Sequence, residues 1–165
     1  MECRFLLADE TMLDDIFNLF IKRVAWMDKV GIKQWNVSHY LEAYPKEYYK
    51  RQIDENRLYV IADNDKIIAA IVLLEEDDRW DDQASAYYLH NFVTDTEVKG
   101  IGKKMLEFVE ALARENNKLK LRLDCAEDNA FLNTYYENEG FVLAGKCQEG
   151  PYYKGNKREK SLKKI

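Results

Sequence analysis

The sequence predicts an α/β protein with a mixed sheet and helices on its faces, and three observations carry that prediction. Aliphatic, β-branched runs at 58–62 and 66–74 read as strands. Apolar residues recur at spacings of three and four in 11–24 and 101–112, the signature of amphipathic helices. Residues 119–125 alternate between apolar and polar. The elements follow the order β, helices, β-β-β, α, β, α, β-β, which requires a layered arrangement to bury each apolar face.

Residues 2–8 read as the first strand. From Thr11 the apolar residues Leu13, Ile16, Phe17, Phe20, Ile21 and Val24 mark a helix, and Gly31 breaks it. A tyrosine-rich helical stretch is expected over 38–56. Asp63-Asn64-Asp65 joins the strands 58–62 and 66–74 as a tight hairpin. The acidic loop Glu75–Asp82 reads as solvated, and residues 84–93 form a further strand. Gly100 and Gly102 open a helix with the stripe Ile101, Met105, Phe108, Val109 and Leu112, which ends at Asn116-Asn117. In 119–125, Leu119, Leu121, Leu123 and Cys125 share one face, and Lys120, Arg122 and Asp124 share the other. A short helix over 129–139 stops at Gly140, and strands are expected near 141–147 and 157–164. No repeat, linker or low-complexity tract interrupts the 165 residues, so a single domain spanning 1–165 is expected.

Composition removes several classes. The net charge of −5 lacks the basic surplus of a nucleic-acid binder. No apolar run is long enough for a membrane span, and Met1-Glu2-Cys3-Arg4 begins no signal-peptide core. Cys3, Cys125 and Cys147 are odd in number and far apart, so neither a disulfide framework nor a zinc cluster is expected. The expected setting is a reducing cytoplasm, with no metal.

The junction Glu97-Val98-Lys99-Gly100-Ile101-Gly102-Lys103-Lys104 lies between a strand and a helix. The first N–H groups of a helix lack intrahelical partners, and the macrodipole there is positive, so anions are favoured. Glycines at 100 and 102 let a phosphate approach the backbone, and three lysines add positive charge. The glycines alone fit a tight helix start equally well. The spacing is that of neither a P-loop nor a dinucleotide fingerprint, since position 105 is methionine.

Two motifs together narrow the reading. The strand Tyr87–Val93 precedes the Gly100/Gly102 loop, and after the next strand come Asn129, Tyr136 and Gly140-Phe141. This stretch, 84–141, resembles the GNAT superfamily of N-acetyltransferases. Its members have Arg/Gln-x-x-Gly-x-Gly/Ala followed downstream by Asn-x6-Tyr-x3-Gly-Phe. The resemblance implies a single-domain, mostly antiparallel central sheet flanked by helices. It also implies acetyl-CoA as cosubstrate and direct transfer of an acetyl group to a primary amine of a small molecule or peptide. Val98, Lys99, Gly100, Ile101, Gly102, Lys103 and Asn129 would contact the cofactor, and a backbone N–H near Phe92 or Val93 would face the thioester oxygen. Tyr136 matches the tyrosine that protonates the leaving thiolate; Asn129 and Tyr136, seven residues apart, share one helix face.

The acceptor of the amine proton is open between His90, Asp124 and a water relay. Asp124 also reads as a partner for Arg122 or as a cap, and Asn129 as a helix cap. Trp26, Trp35, Tyr40, Tyr44, Tyr48, Tyr49 and Trp80, near acidic residues, suit an amine or simply close the core. The departure is Glu97, where the family has Arg or Gln, with Val98 in place of a common glycine. A carboxylate beside pyrophosphate is unfavourable, so a catalytically weak CoA-binding module stays open beside the enzyme. A homodimer is compatible with either.

Overall fold

The computed structural model describes residues 2–82 and 84–162. Seven strands form a sheet in the order β1-β2-β3-β4-β5-β7-β6, mostly antiparallel, with β4 and β5 parallel. The chain divides into two compact units, residues 1–73 with 90–108, and 74–89 with 109–165.

In the first unit, β1 (Cys3–Leu7) pairs antiparallel with β2 (Leu58–Asp63), and β2 pairs with β3 (Lys66–Leu74). The hairpin is as tight as its residues demand. Asp63 pairs with Lys66, and Asn64 takes a φ of 54°, a left-handed conformation that asparagine tolerates. Asp9 precedes α1 (Leu13–Val30), and its side chain accepts from the Thr11 N–H at 2.9 Å. The buried stripe of α1 is Ile16, Leu19, Phe20 and Met27, whereas Ile21 points outward. Gly31 ends the helix at φ 79°, with its N–H on the Met27 carbonyl.

The expected helical stretch over 38–56 forms two helices, α2 (Tyr40–Ala43) and α3 (Lys46–Asp54). Pro45 lies between them: it lacks an N–H and disfavours helical backbone at Tyr44. Tyr49 is buried and stacks on Phe20 at 4.6 Å, and the half-buried Trp35 and Tyr40 stack at 4.2 Å, so Tyr49 belongs to the core while Tyr40, Tyr44 and Tyr48 are half-buried. Fully burying one such side chain contributes roughly 1.5–3 kcal/mol.

In the second unit, the first residues of β4 (Ala86–Thr94) pair with β5 (Lys120–Ala126), with Ala86 opposite Lys120 and Tyr88 opposite Arg122. β5 then pairs with β7 (Tyr153–Ser161) through Ala126, and β7 with β6 (Val142–Glu149). The last strand thus starts earlier than 157, and the part of the expected strand at 163–164 lies outside the described residues. α4 (Ile101–Glu115) buries Ile101, Met105, Val109 and Ala113.

The polar face expected of β5 carries a buried charge. Arg122 is 2% exposed and is the largest fully buried side chain. Its guanidinium meets Asp82 Oδ2 at 2.8 Å and Glu159 Oε2 at 3.0 Å, receives no carboxylate from Asp124, and lies 4.2 Å from the Trp80 ring centre. A buried charge requires such partners, and alternation by itself does not reveal them.

Candidate active site

In the first unit the loop before α4 is organised by Asp95, which is 3% exposed. Its Oδ1 accepts from the Glu97 N–H at 3.0 Å, and its carbonyl accepts from the Val98 N–H at 3.1 Å. Lys22 on α1 reaches Asp95 Oδ1 at 2.9 Å, and Lys66 lies 3.4 Å from Oδ2. Burial opposes ionisation of Asp95, but the Glu97 N–H and the two lysines outweigh it and hold the pKa below the ordinary value. The loop ends at Gly100, with φ 79° and nothing within 4 Å of where a Cβ would stand. Ile101 is buried and begins α4, Gly102 follows in its first turn, and Lys99, Lys103 and Lys104 are exposed. Left-handed backbone, open space and the positive helix end together make a cradle for an anion.

Glu97 does not face that cradle uncompensated. Its Oε2 accepts from Lys22 Nζ at 2.9 Å, and the hydrogen bonds that Lys22 donates to Glu97 and Asp95 raise its pKa.

The end of β4 carries His90, Phe92 and Val93; the first two are half-buried and Val93 is buried. Between them Asn91 takes a φ of 49° within the strand. Its Oδ1 accepts from the Tyr48 hydroxyl and its Nδ2 donates to the Tyr40 oxygen, both at 2.7 Å. Asn91 was not singled out from sequence. Its tolerance of left-handed backbone, within a strand that precedes a functional loop, is the available signal.

In the second unit Asn129 caps α5 (Ala130–Asn138): its Oδ1 accepts from the Leu132 N–H at 3.0 Å. Asn133, one turn later, donates to the Ala126 and Asn129 carbonyls and accepts from the Cys125 thiol at 3.5 Å and Arg158 Nε at 3.0 Å. Tyr136 is buried, edge-on to Phe141 at 5.7 Å and to Tyr135 at 5.4 Å. Burial pushes its hydroxyl pKa far above the ordinary value, and the Cys125, Tyr135 and Asp124 charges add to that. Burial also pushes the Cys125 thiol up to about 11.

Asp124 does not pair with Arg122, and it caps no helix here. Its Oδ1 lies 3.2 Å from Arg79 Nη1, and its Oδ2 accepts from the Tyr153 hydroxyl at 2.5 Å. Tyr153 can fold back over β7 because residue 155 is glycine. A Cβ there would stand 2.7 Å from the Tyr153 oxygen and 2.9 Å from Cys147 Sγ. Arg79 and Tyr153 were hidden in sequence because one lies in an acidic loop and the other just after a turn. The second unit thus joins Asp124, Asn129 and Tyr136 along β5 and α5, and the first joins His90, Phe92 and Val93 to the 98–103 loop.

A glycine-opened helix after a strand, followed by an asparagine-capped helix with a buried tyrosine, is the order of elements that the resemblance to an acyl-group transferase implies. The chain belongs to the Acetyltransferase (GNAT) family, whose profile matches residues 28–141. It is similar to YesJ, an uncharacterized N-acetyltransferase of Bacillus subtilis (strain 168), with 23% identity over 83% of this chain and 80% of that one. It is also similar to the S-(2-succino)cysteine N-acetyltransferase of the same organism, with 28% identity over 91% and 90% of the two chains. The PaiA N-acetyltransferase of Thermoplasma acidophilum, solved in complex with coenzyme A, shares the fold. Its TM-score is 0.74 at 18% identity, covering 98% of this chain and 100% of that one. The protein is an acetyltransferase, and among the described residues no helix is long and apolar enough to cross a membrane.

Proposed function

We propose that the chain, as one domain over 1–165, moves the acetyl group of acetyl-CoA directly to a primary amine of a small molecule or peptide. The observation that carries this reading is the Gly100 cradle, with left-handed φ, open space at the missing Cβ, and the start of α4 beside it. The coenzyme A complex of the similar fold and the N-acetyltransferase relatives support it.

Val98 to Lys103 present backbone N–H groups and lysine charge to the pyrophosphate, and Asn129 adds a contact from α5. When bound, the thioester supplies an activated acetyl carbon. A β4 N–H near Phe92 or Val93 donates to the carbonyl oxygen as charge develops there. The amine nitrogen forms the new C–N bond, the C–S bond breaks, and Tyr136 gives its proton to the departing sulfur. His90 takes the amine proton, directly or through a water. Asp124 is the weaker acceptor, because Arg79 and Tyr153 occupy its two oxygens. Burial keeps Tyr136 protonated before the step, so the proton is present on the hydroxyl. Three free cysteines fit a reducing cytoplasm.

The alternative of a non-catalytic module drew on Glu97, and the Lys22–Glu97 pair removes most of its ground. The discriminating experiment measures CoA release from acetyl-CoA against a panel of primary amines. Turnover with at least one amine, cut by Tyr136→Phe while CoA binding persists, is expected. CoA binding with no transfer to any amine would favour the module.

A further inference from the structure

Arg79 is held more firmly than its place in an acidic loop suggests. Its backbone N–H donates to Asp77 Oδ1 at 2.9 Å, and its carbonyl accepts from Lys157 Nζ at 2.8 Å. The guanidinium is 19% exposed and sits 5.9 Å from the Tyr153 ring centre. One corner, Nη1, is tied to Asp124, which is 8% exposed and also takes the Tyr153 hydroxyl. The other edge, Nε with Nη2, converges on a single oxygen of Glu149, Oε2, at 2.9 and 2.5 Å.

Glu149 differs from Asp124. It is the last residue of β6, its side chain is 63% exposed, and the turn 150–152 follows. Exposed ion pairs are weak and exchange readily. The Nε/Nη2 edge of an arginine presents two parallel N–H groups that match the two oxygens of a carboxylate, yet here both meet one oxygen. The fork is therefore preorganised by a buried partner on one side and occupied on the other by an internal carboxylate that solvent can reach. Asp124 also ties it to β5, and the Asp124 charge is among those that act on the Tyr136 hydroxyl of α5.

We propose that the Nε/Nη2 edge of Arg79 receives a carboxylate of the acceptor in place of Glu149, so that the acceptor class is an amine that also carries a carboxylate, such as an amino acid. This rests on the acetyltransferase reading above. Glu149 acts as a resident competitor that keeps the arginine paired until the acceptor arrives. The guanidinium fixes the acceptor through two parallel hydrogen bonds, which orients the amine as well as binding it.

The test uses the full chain and CoA release as readout, with glutamine, lysine and phenylalanine each compared with its methyl ester and its decarboxylated amine. The free acids are expected to exceed the carboxylate-free forms by about tenfold or more in kcat/KM, as for a site built around a charged fork. Arg79→Lys keeps the charge and loses the fork, and is expected to bring that ratio to within about twofold while acetyl-CoA still binds. Glu149→Gln is expected to raise the ratio by lowering KM for the free acids. A purely structural Arg79 would lower all acceptors alike. Equal rates for acids and their carboxylate-free forms, or an unchanged ratio in Arg79→Lys, overturn this inference alone. Binding of acetyl-CoA with no transfer to any amine overturns the acetyltransferase reading and this inference with it.

Discussion

Lys22 on α1 holds Glu97 at 2.9 Å and Asp95 at 2.9 Å, so one ammonium binds both acids of the loop that leads to Gly100. It offsets the two carboxylates of that loop, whose charges oppose a bound pyrophosphate. Lys22→Ala is expected to weaken acetyl-CoA binding, and Glu97→Gln to strengthen it. Lys22 is 40% and Glu97 73% exposed, so each change should stay within about fivefold, the scale of an exposed pair. Titration calorimetry at low and high salt checks this: the differences should shrink as salt screens the charges.

Asp95 gives the loop its pH dependence. Its folded-state pKa is depressed, so its contribution is present above the ordinary carboxylate pKa of ~3.9 and is lost as pH falls through the lower folded value. Asp95→Asn should destabilise the protein near neutrality by about 1–3 kcal/mol, the cost of losing charge-assisted hydrogen bonds at a buried group. Denaturant melts of wild type and variant should converge in strong acid. A difference that stays constant down to that range would contradict the assignment.

Tyr136 and Cys125 separate direct transfer from a covalent route. If Tyr136 protonates the leaving sulfur, Tyr136→Phe lowers kcat by roughly 10²–10⁴-fold and leaves the Kd for CoA nearly unchanged. Cys125 is buried and its thiol is raised to about 11, so near pH 8 only about one part in a thousand is thiolate. Cys125→Ala should therefore retain turnover, and rapid mixing with acetyl-CoA should show no burst of acetylated protein.

Much of this was legible in the sequence, and the remainder failed for identifiable reasons. Strand and helix order followed from periodicity because each element buries a face in register with its own repeat, as in Ile101, Met105 and Val109. A glycine at the entry of α4 was legible because glycine is the residue a left-handed helix entry requires. The burial of Arg122 was not legible, because periodicity cannot see Asp82 or Glu159 converging from 37–40 residues away. The partners of Asp124 were misjudged for the same reason: Arg79 and Tyr153 are distant in sequence and meet only through β7 and its preceding turn.

Gly155 links packing to the carboxylate cluster. A methyl group there would meet the Tyr153 oxygen at 2.7 Å and Cys147 Sγ at 2.9 Å, so the ring must leave its place over β7. Gly155→Ala is expected to lose the Tyr153–Asp124 bond and to cost about 1–3 kcal/mol as overpacking in a tight site. Tyr153→Phe removes the same hydrogen bond without the clash, leaving Asp124 Oδ2 short of a donor at a similar cost of about 1–3 kcal/mol. Because both changes act through one contact, Tyr153→Phe with Gly155→Ala should be less destabilised than the sum of the singles. Thermal melts of the four proteins test this. Simple additivity would mean that the glycine is required by Cys147 or the backbone, and that Tyr153 is not positioned by it.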